Sequence, residues 1–424
     1  MKTKEKYKFW RKRIFLTLWI TYAAFYLCRV NMSIAMPGIM AEFGISKTAM
    51  GGVLTALFIA YAAGQFINGQ LGDRFGARKL IFIGIIFSAI INIIFGFTNG
   101  VIAGMMLLWG LNGYFQSMGW APVVKTIANW FPPNKRGRAG GLMGTSYQIG
   151  NAASWALAGL IVGSLGWRWA FWIPAAIFFL SGIHWFIRGR NAPEEVGLPT
   201  IEEENKGIKK SKVKSDHHLG FVYTLGTVLK NPKIWIVGLG LFCLNIIRYG
   251  FMSWAPTYMF EVQQATISLA AYKAVAIPIA GCLGAIIAGR ISDKMPGLNR
   301  AKIAAAMLFL LGLFAFLYPK IPANNWLLSL ICLLGAGFMT YGPHVLMVGT
   351  MAMDFATRKA ASSAAGFIDC LGYIGAALTG VGTGWLIDNF SWNAAFYFWV
   401  AGAAIAAILM LMLWNYKPPK RKYH

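Results

Sequence analysis

The stretch GQLGDRFGARK, residues 69–79, separates two long apolar runs, and a related stretch, GRISDKMPGLNRAK, residues 289–302, does the same in the second half of the chain. Both have the form G-x-x-x-D-[RK] with further basic residues downstream. A glycine lets two helices approach closely, and an aspartate can hold a basic side chain or a helix N-terminus nearby. One polar motif repeated between apolar runs predicts a membrane protein built from two related halves.

Apolar segments long enough to cross a bilayer core, which takes roughly 20 residues, recur along the whole chain. Of the 424 residues, 57% are hydrophobic and only 12% are charged, whereas soluble domains have about 25% charged residues. We therefore predict an all-α membrane protein with twelve transmembrane helices. Their predicted ranges are 14–36, 48–70, 79–98, 101–128, 137–165, 168–188, 232–260, 267–290, 301–318, 325–352, 360–387 and 392–414.

The formal net charge of +25 comes mainly from basic residues in alternate loops and at both termini. Loops on the cytoplasmic side of membrane proteins carry an excess of lysine and arginine. The charge therefore predicts cytoplasmic N- and C-termini, in a multi-pass protein of the cytoplasmic (inner) membrane. It does not indicate a nucleic-acid partner, because no basic face alternates with exposed aromatic residues on a soluble domain.

One long polar segment, which includes EEENKGIKKSKVKSDHH at residues 202–218, divides the predicted helices six and six. We predict an N-terminal six-helix bundle in residues 1–190, a mobile cytoplasmic linker in residues 191–230 and a pseudo-symmetric C-terminal bundle in residues 231–424. This arrangement resembles the major facilitator superfamily, whose substrate site lies near the bilayer midplane between two such bundles.

Two arginines lie at equivalent places within predicted membrane helices, Arg29 in YLCRVNMSIAMP and Arg248 in NIIRYGFMSWAPTYM. A charged side chain at that depth costs roughly 2.5–3.5 kcal/mol on insertion scales. We expect both to face one central cavity as an anion site, because the planar guanidinium pairs bidentately with phosphate or carboxylate oxygens. The alternative is a structural salt bridge from either arginine to Asp369, an acid deep in the eleventh predicted helix.

Tyrosines in the middle of the predicted helices are candidates for hydrogen bonding near these arginines. Tyr22 and Tyr26 precede Arg29 by seven and three residues and so share nearly its helix face. The second, tenth and eleventh predicted helices contain Tyr61, Tyr341 and Tyr373.

A more specific resemblance rests on several stretches that lie in order in both halves. They are YAAFYLCRVNMSIAMP, GYFQSMGWAPVVKTIANWF, PEEVGLPTIEE, IIRYGFMSWAPTYM, YGPHVLMVG and KAASSAAGFIDCLGYIGA. They are similar to the organophosphate:phosphate antiporter family, whose members exchange a phosphate ester for inorganic phosphate. The resemblance implies that Arg29 and Arg248 bind the phosphoryl group. It also implies substrate-site roles for Tyr22, Tyr26, Tyr61, Trp130, Tyr341 and Tyr373.

The chain departs from that family where the pocket chemistry differs. Gln65 stands where bacterial members have a lysine, Tyr147 where they have a histidine, and Asn245 where they have a tyrosine. We keep Gln65, Tyr147, Gln148 and Asn245 as candidate substrate-binding residues. The side chains of Gln65, Tyr147 and Gln148, and of the nearby Asn151, can hydrogen-bond sugar or glycerol hydroxyls.

Six further residues are candidates for coupling or gating. Asp369 precedes Tyr373 by one helical turn and is expected either to couple protons or to balance the charge of Arg248 or Lys273. The remaining candidates lie at cytoplasmic loops and could latch one conformation: Asp73, Arg138, Asp293 and Arg358.

The sequence thus predicts a secondary transporter of phosphorylated organic anions, working as a monomer by alternating access. One alternative keeps the fold but makes the protein a proton-coupled symporter of carboxylates such as sugar acids. Another makes it a transporter-like sensor of phosphate esters. The chain has no Walker, GxSxG or HExxH motif and no cluster of metal-ligating residues, so we expect neither an enzyme nor a metal or cofactor.

Overall fold

The computed structural model describes residues 3–201, 226, 228–294, 300–355 and 361–415, which are overwhelmingly helical with no β-strand among them. We number the α-helices in chain order: α1 Thr3–Phe25, α2 Asn31–Phe43, α3 Lys47–Phe75, α4 Ala77–Phe95, α5 Ile102–Gln116, α6 Trp120–Trp130, α7 Pro133–Leu165, α8 Trp169–Arg188, α9 Pro232–Glu261, α10 Ile267–Ala274, α11 Ala276–Lys294, α12 Arg300–Leu317, α13 Trp326–Val345, α14 Ala352–Phe355, α15 Ala361–Asn389 and α16 Trp392–Leu411. Short 3₁₀ turns follow α1, α8 and α12, and a π-helical segment, Leu346–Met351, follows α13.

Ten helical segments of the described residues are long and apolar enough to cross a membrane. The other two predicted spans, 101–128 and 137–165, are helical as well: α5 and α6 cover residues 102–130 with a short interruption, and α7 covers residues 133–165. The predicted all-α membrane fold is therefore confirmed. The cytoplasmic orientation of the termini stays a prediction.

Several helices start at a polar residue that caps the helix N-terminus. Asn231 precedes α9, and its side chain accepts a hydrogen bond from the Lys233 amide. Thr266, Asn325 and Ser391 cap α10, α13 and α16 in the same way. These side chains satisfy amide groups that the first helical turn leaves without a partner, which fixes the point where each helix begins.

The chain divides into two compact units, residues 1–39 with 59–215 and residues 40–58 with 216–424. Helix α3 contributes its beginning to the second unit and its remainder to the first. The predicted limits of the two six-helix bundles stay a prediction.

The first membrane helix is broken beside Arg29. Helix α1 ends at Phe25, Tyr26–Cys28 form a 3₁₀ turn, and α2 starts at Asn31. Arg29 itself has φ −121° and ψ −49°, outside the helical region. A break of this kind releases backbone carbonyl groups from the helical ladder, and inside a membrane these need other partners.

The first residues of the predicted linker are packed rather than mobile. Leu198 and Ile201 are buried in a cluster with Tyr7, Ile14 and Trp130. The Tyr7 hydroxyl donates a hydrogen bond to the Pro199 carbonyl. Residues 193–201 are therefore part of the first unit, while the rest of the predicted linker up to residue 225 lies outside the described residues.

In the second unit, the start of α3 packs tightly on α15. A Cβ on Gly51 would lie 2.3 Å from the carbonyl oxygen of Gly380, so the two helices touch through their backbones. The Thr55 hydroxyl donates to the Ala377 carbonyl at 2.6 Å. At the helix N-terminus, the Asp388 carboxylate accepts hydrogen bonds from the amide (2.7 Å) and the hydroxyl (2.6 Å) of Thr48.

Candidate anion-binding site

Arg29 is held by three neutral groups of the first unit. Its Cζ lies 4.8 Å from the ring centroid of Tyr26 and 4.7 Å from that of Tyr61. Its Nε donates a hydrogen bond to Oε1 of Gln116 at 3.1 Å. Aromatic faces attract a guanidinium through their quadrupole. These contacts hold the side chain in a defined orientation, which suits the predicted role of Arg29 in binding an anion.

Gln116 belongs to a buried polar network that supports the break in the first helix. The Gln116 Nε2 donates to the Ser88 hydroxyl at 2.9 Å, and that hydroxyl donates to Asn112 Oδ1 at 2.6 Å. Asn112 Nδ2 donates in turn to the carbonyl of Cys28 at 2.8 Å. A carbonyl released by the 3₁₀ turn thus finds a partner, and the same network orients Arg29.

The network extends to the first residue of α2. Asn31 donates to Asn92 Oδ1 at 3.1 Å and to the carbonyl of Ala170 at 2.9 Å. Asn92 also donates to Asn112 Oδ1, at 3.2 Å. All of these side chains except that of Arg29 are fully buried. Apart from Oδ1 of Asn31, which has no partner among the described residues, the polar groups of these buried side chains are hydrogen-bonded. Such a network restrains the backbone around Arg29.

Aromatic rings continue from Arg29 along α1 and α7. The rings of Tyr22 and Tyr26 are 6.3 Å apart, and those of Tyr26 and Tyr147 are 6.4 Å apart. Tyr22 also packs on Trp120, at 5.1 Å. The structure therefore brings together most of the tyrosines predicted for this half, in direct contact with one another.

Arg248 has a comparable setting in the second unit. It is 7% exposed, and its Cζ lies 4.9 Å from the ring centroid of Tyr249 and 5.1 Å from that of Tyr341. Its Nη1 donates to Asn245 Oδ1 at 3.4 Å. Both predicted arginines thus stack on two tyrosine rings and bond to one neutral amide.

Two further predicted residues lie near Arg248. The Tyr373 ring lies 6.3 Å from that of Tyr249, and Asp369, one turn earlier on α15, is close enough to interact electrostatically with Arg248. The partly buried Asp369 carboxylate is therefore the acidic group to consider for coupling in this unit.

Tyr341 reaches Arg248 because a glycine leaves room for its ring. A Cβ on Gly281 of α11 would lie 2.2 Å from Cδ2 of Tyr341. The Tyr341 hydroxyl contacts Sδ of Met252 at 3.4 Å. Any larger residue at position 281 would displace the ring from beneath the guanidinium.

The other predicted residues lie apart from the two arginine clusters or outside the described residues. Trp130 is fully buried beside Trp10, and its Nε1 donates to the carbonyl of Arg190 at 3.1 Å. Lys273 is a buried residue of α10, Gln65 lies one turn after Tyr61 on α3, and Arg138 is exposed on α7. Arg358 lies outside the described residues, as do the side chains of Asp73 and Asp293. Gln148 is a buried residue of α7.

Four residues of the Arg29 site were not predicted from the sequence: Gln116, Ser88, Asn92 and Asn112. A signal was present, because Ser88 and Asn92 are four residues apart, as are Asn112 and Gln116, and each pair shares one face of an apolar helix. Within the described residues, no three His, Cys, Asp or Glu side chains are grouped as a metal site would require.

Comparisons with known proteins show the family to which the chain belongs. Residues 18–380 match the Major Facilitator Superfamily family model, and the chain belongs to that family of membrane transporters. It is 33% identical to the "Glycerol-3-phosphate transporter" of Bacillus subtilis (strain 168), covering 98% of this chain and 94% of the relative. It is 32% identical to the "Probable hexose phosphate transport protein" of Chlamydia pneumoniae, covering 97% and 93%.

The chain is also similar to two more distant proteins. The "Membrane sensor protein UhpC" of Escherichia coli (strain K12) is 28% identical over 98% of this chain and 94% of its own length. Among solved structures, a bacterial homologue of the human lysosomal transporter Spinster matches with a TM-score of 0.74 and 15% identity, covering 95% of this chain and 96% of that chain. This last likeness concerns the fold alone.

Proposed function

We propose that the protein carries phosphorylated organic anions, such as glycerol 3-phosphate or a sugar phosphate, across the cytoplasmic membrane in exchange for inorganic phosphate. Arg29 and Arg248 bind the phosphoryl group, and the protein works by alternating access. Convergence of the two arginines on one anion stays a prediction, as does a monomeric state.

The observation that carries the proposal is the matched setting of the two arginines. Each arginine lies within a predicted membrane span, and its guanidinium stacks on two tyrosine rings and bonds to one neutral amide, Gln116 or Asn245. A guanidinium pre-oriented in this way pairs with a phosphoryl group through two parallel, charge-assisted hydrogen bonds. The relatives named as phosphate-ester transporters support the same substrate class.

Exchange with phosphate is tested in proteoliposomes that contain the purified protein. We expect vesicles loaded with inorganic phosphate to take up radiolabelled glycerol 3-phosphate or glucose 6-phosphate, without an imposed pH gradient. Vesicles loaded with chloride, and phosphate-loaded vesicles without protein, serve as controls. Uptake that needs a pH gradient and proceeds equally well without internal phosphate would overturn the proposal.

Proton-coupled transport of carboxylates has one observation in its favour, the position of Asp369 near Arg248. In this case a pH gradient would drive uptake of a sugar acid in the absence of phosphate. The Asp369→Asn variant would abolish that uptake, because the amide cannot carry the proton.

A sensor function is supported by the similarity to the membrane sensor protein. The same vesicles distinguish it from transport: a sensor binds the phosphate ester with measurable affinity but produces no flux in either loading condition.

A further inference from the structure

Helix α7 carries buried polar atoms that lack a hydrogen-bond partner among the described residues. They are both side-chain polar atoms of Gln148, Oδ1 of Asn151 and Oγ of Ser154. The three side chains are 2%, 1% and 2% exposed. They are spaced three residues apart and therefore line one side of the helix over two turns. Burying polar atoms without partners costs free energy, so a group from outside the described chain is expected to satisfy them.

The contacts of α7 place this side of the helix beside the Arg29 region. The ring of Tyr147 lies 6.4 Å from that of Tyr26, and Nε1 of Trp155 donates to the Ser33 hydroxyl at 2.9 Å. Residues 147–155 therefore run alongside residues 23–33, and Arg29 lies within that stretch. Gly150 allows the close approach, because a Cβ there would lie 2.4 Å from the carbonyl oxygen of Ala23.

The chemistry of these atoms fits hydroxyl groups better than phosphoryl oxygens. The Gln148 side chain donates through its NH2 group and accepts through its carbonyl oxygen, the Ser154 hydroxyl can donate or accept, and Asn151 offers a carbonyl oxygen. A phosphoryl dianion has no proton to donate to a carbonyl oxygen, whereas each hydroxyl of a sugar or of glycerol both donates and accepts. The guanidinium and the α7 side chains therefore suit opposite ends of one phosphate ester.

We propose that Gln148, Asn151 and Ser154 bind the hydroxyl groups of the transported ester and select for polyhydroxylated organic parts. This inference rests on the proposed function, which supplies phosphate esters as the substrate class. Arg29 holds the phosphoryl end, while the α7 residues distinguish a hydroxylated organic part from an apolar one of the same size. A site built to hydrogen-bond a hydroxyl discriminates strongly against an analogue that lacks it, because its buried polar groups then stay without partners.

The test compares ligands that share a phosphoryl group and a similar overall size but differ in hydroxyls. Binding of glycerol 3-phosphate and propyl phosphate is measured by isothermal titration on the full chain in nanodiscs. Glucose 6-phosphate and cyclohexylmethyl phosphate form a second pair. We expect the wild-type protein to prefer the hydroxylated member of at least one pair by about tenfold or more. Asn151→Leu and Ser154→Ala should each lower that ratio by about two- to tenfold, the equivalent of one lost hydrogen bond.

Ser146→Ala is the matched control on the same helix. Ser146 is also buried, but its hydroxyl donates to the Met143 carbonyl at 2.6 Å. This variant should keep the wild-type ratio. Asn151→Leu and Ser154→Ala should not lower the thermal midpoint of the ligand-free protein, since no bond within the protein is lost. A purely structural role predicts the opposite: a lower midpoint and an unchanged ratio.

Three results would overturn the inference. Equal binding of both members of each pair by wild-type protein that exchanges phosphate would refute this inference alone. Unchanged ratios in both the Asn151 and the Ser154 variant would also refute it alone. If wild-type protein binds no phosphate ester at all, the proposed function fails and the inference fails with it.

Discussion

Replacing Gln116 separates two contributions of Arg29 to anion binding, its orientation and its charge. In Gln116→Leu the guanidinium loses the acceptor 3.1 Å from its Nε, and the Ser88 hydroxyl loses its donor at 2.9 Å. A hydrogen bond to a charged group contributes about 1.5–3 kcal/mol to stability. The free energy of phosphate binding should change by less than this. The loss in binding is only the cost of immobilising the freed Arg29 side chain, about 0.5–1.5 kcal/mol. That penalty corresponds to roughly 2- to 13-fold weaker binding.

Gln116→Glu provides the contrast, because it keeps the acceptor and adds a negative charge. If the carboxylate lies about 6 Å from the bound anion, each negative charge on that anion is repelled by about 3 kcal/mol at an effective dielectric constant of 20. We therefore expect Gln116→Glu to lose at least about 100-fold in phosphate affinity, more than Gln116→Leu, although its guanidinium is held as firmly as in the wild-type protein.

The assay is the binding of radiolabelled phosphate to purified protein in nanodiscs, with thermal midpoints from circular dichroism. Thr126→Val is the control, since Thr126 is buried in the same unit but its hydroxyl donates only to the Pro122 carbonyl, at 2.9 Å. It should retain phosphate affinity within about twofold, as expected for a substitution away from the site. The reasoning is refuted if Gln116→Glu binds phosphate as tightly as wild-type protein.

Two further predictions concern the packing and the capping of helices. Gly150→Ala should lower the thermal midpoint and the rate of phosphate exchange, because its Cβ would lie 2.4 Å from the Ala23 carbonyl oxygen. Overpacking of this kind lowers the free energy of unfolding by about 1–3 kcal/mol. Gly141→Ala on the same helix meets nothing within 4 Å and should be neutral or stabilising; equal midpoints for the two variants would contradict this packing. Asp388→Ala should destabilise the protein by about 1 kcal/mol, because the start of α3 loses the carboxylate that accepts from the Thr48 amide and hydroxyl. Asp388→Asn should retain part of this stability in the same melting experiment, and an unchanged midpoint in Asp388→Ala would exclude the capping role.

The sequence predicts candidate site residues best where a single charged residue interrupts an apolar segment. Arg29 and Arg248 are charges inside apolar segments, and the cost of placing them there predicts a functional role for both. The tyrosines at positions 22 and 26 follow from helical periodicity, which places them on nearly the same face as Arg29.

The supporting groups could not be found in that way, because they depend on which helices are neighbours. Gln116 and Ser88 lie on α5 and α4, and nothing in either segment indicates that they meet Arg29. The break at Tyr26–Cys28 was missed for a related reason: no proline or glycine marks it, and the side chains that stabilise it come from distant helices. The packing of Trp130 could not be predicted either. Its partners Leu198 and Ile201 lie in a segment whose composition suggested a mobile linker.

The most direct test of the central claim is phosphate self-exchange in proteoliposomes by Arg29→Ala and Arg248→Ala. Each variant, with wild-type folding and membrane insertion, is expected to exchange phosphate no faster than protein-free vesicles. Arg168→Ala, which removes an arginine stacked on Trp167 at 4.4 Å, should exchange phosphate like the wild-type protein. Wild-type exchange by either Arg29→Ala or Arg248→Ala would contradict the claim that these two guanidiniums bind the phosphoryl group.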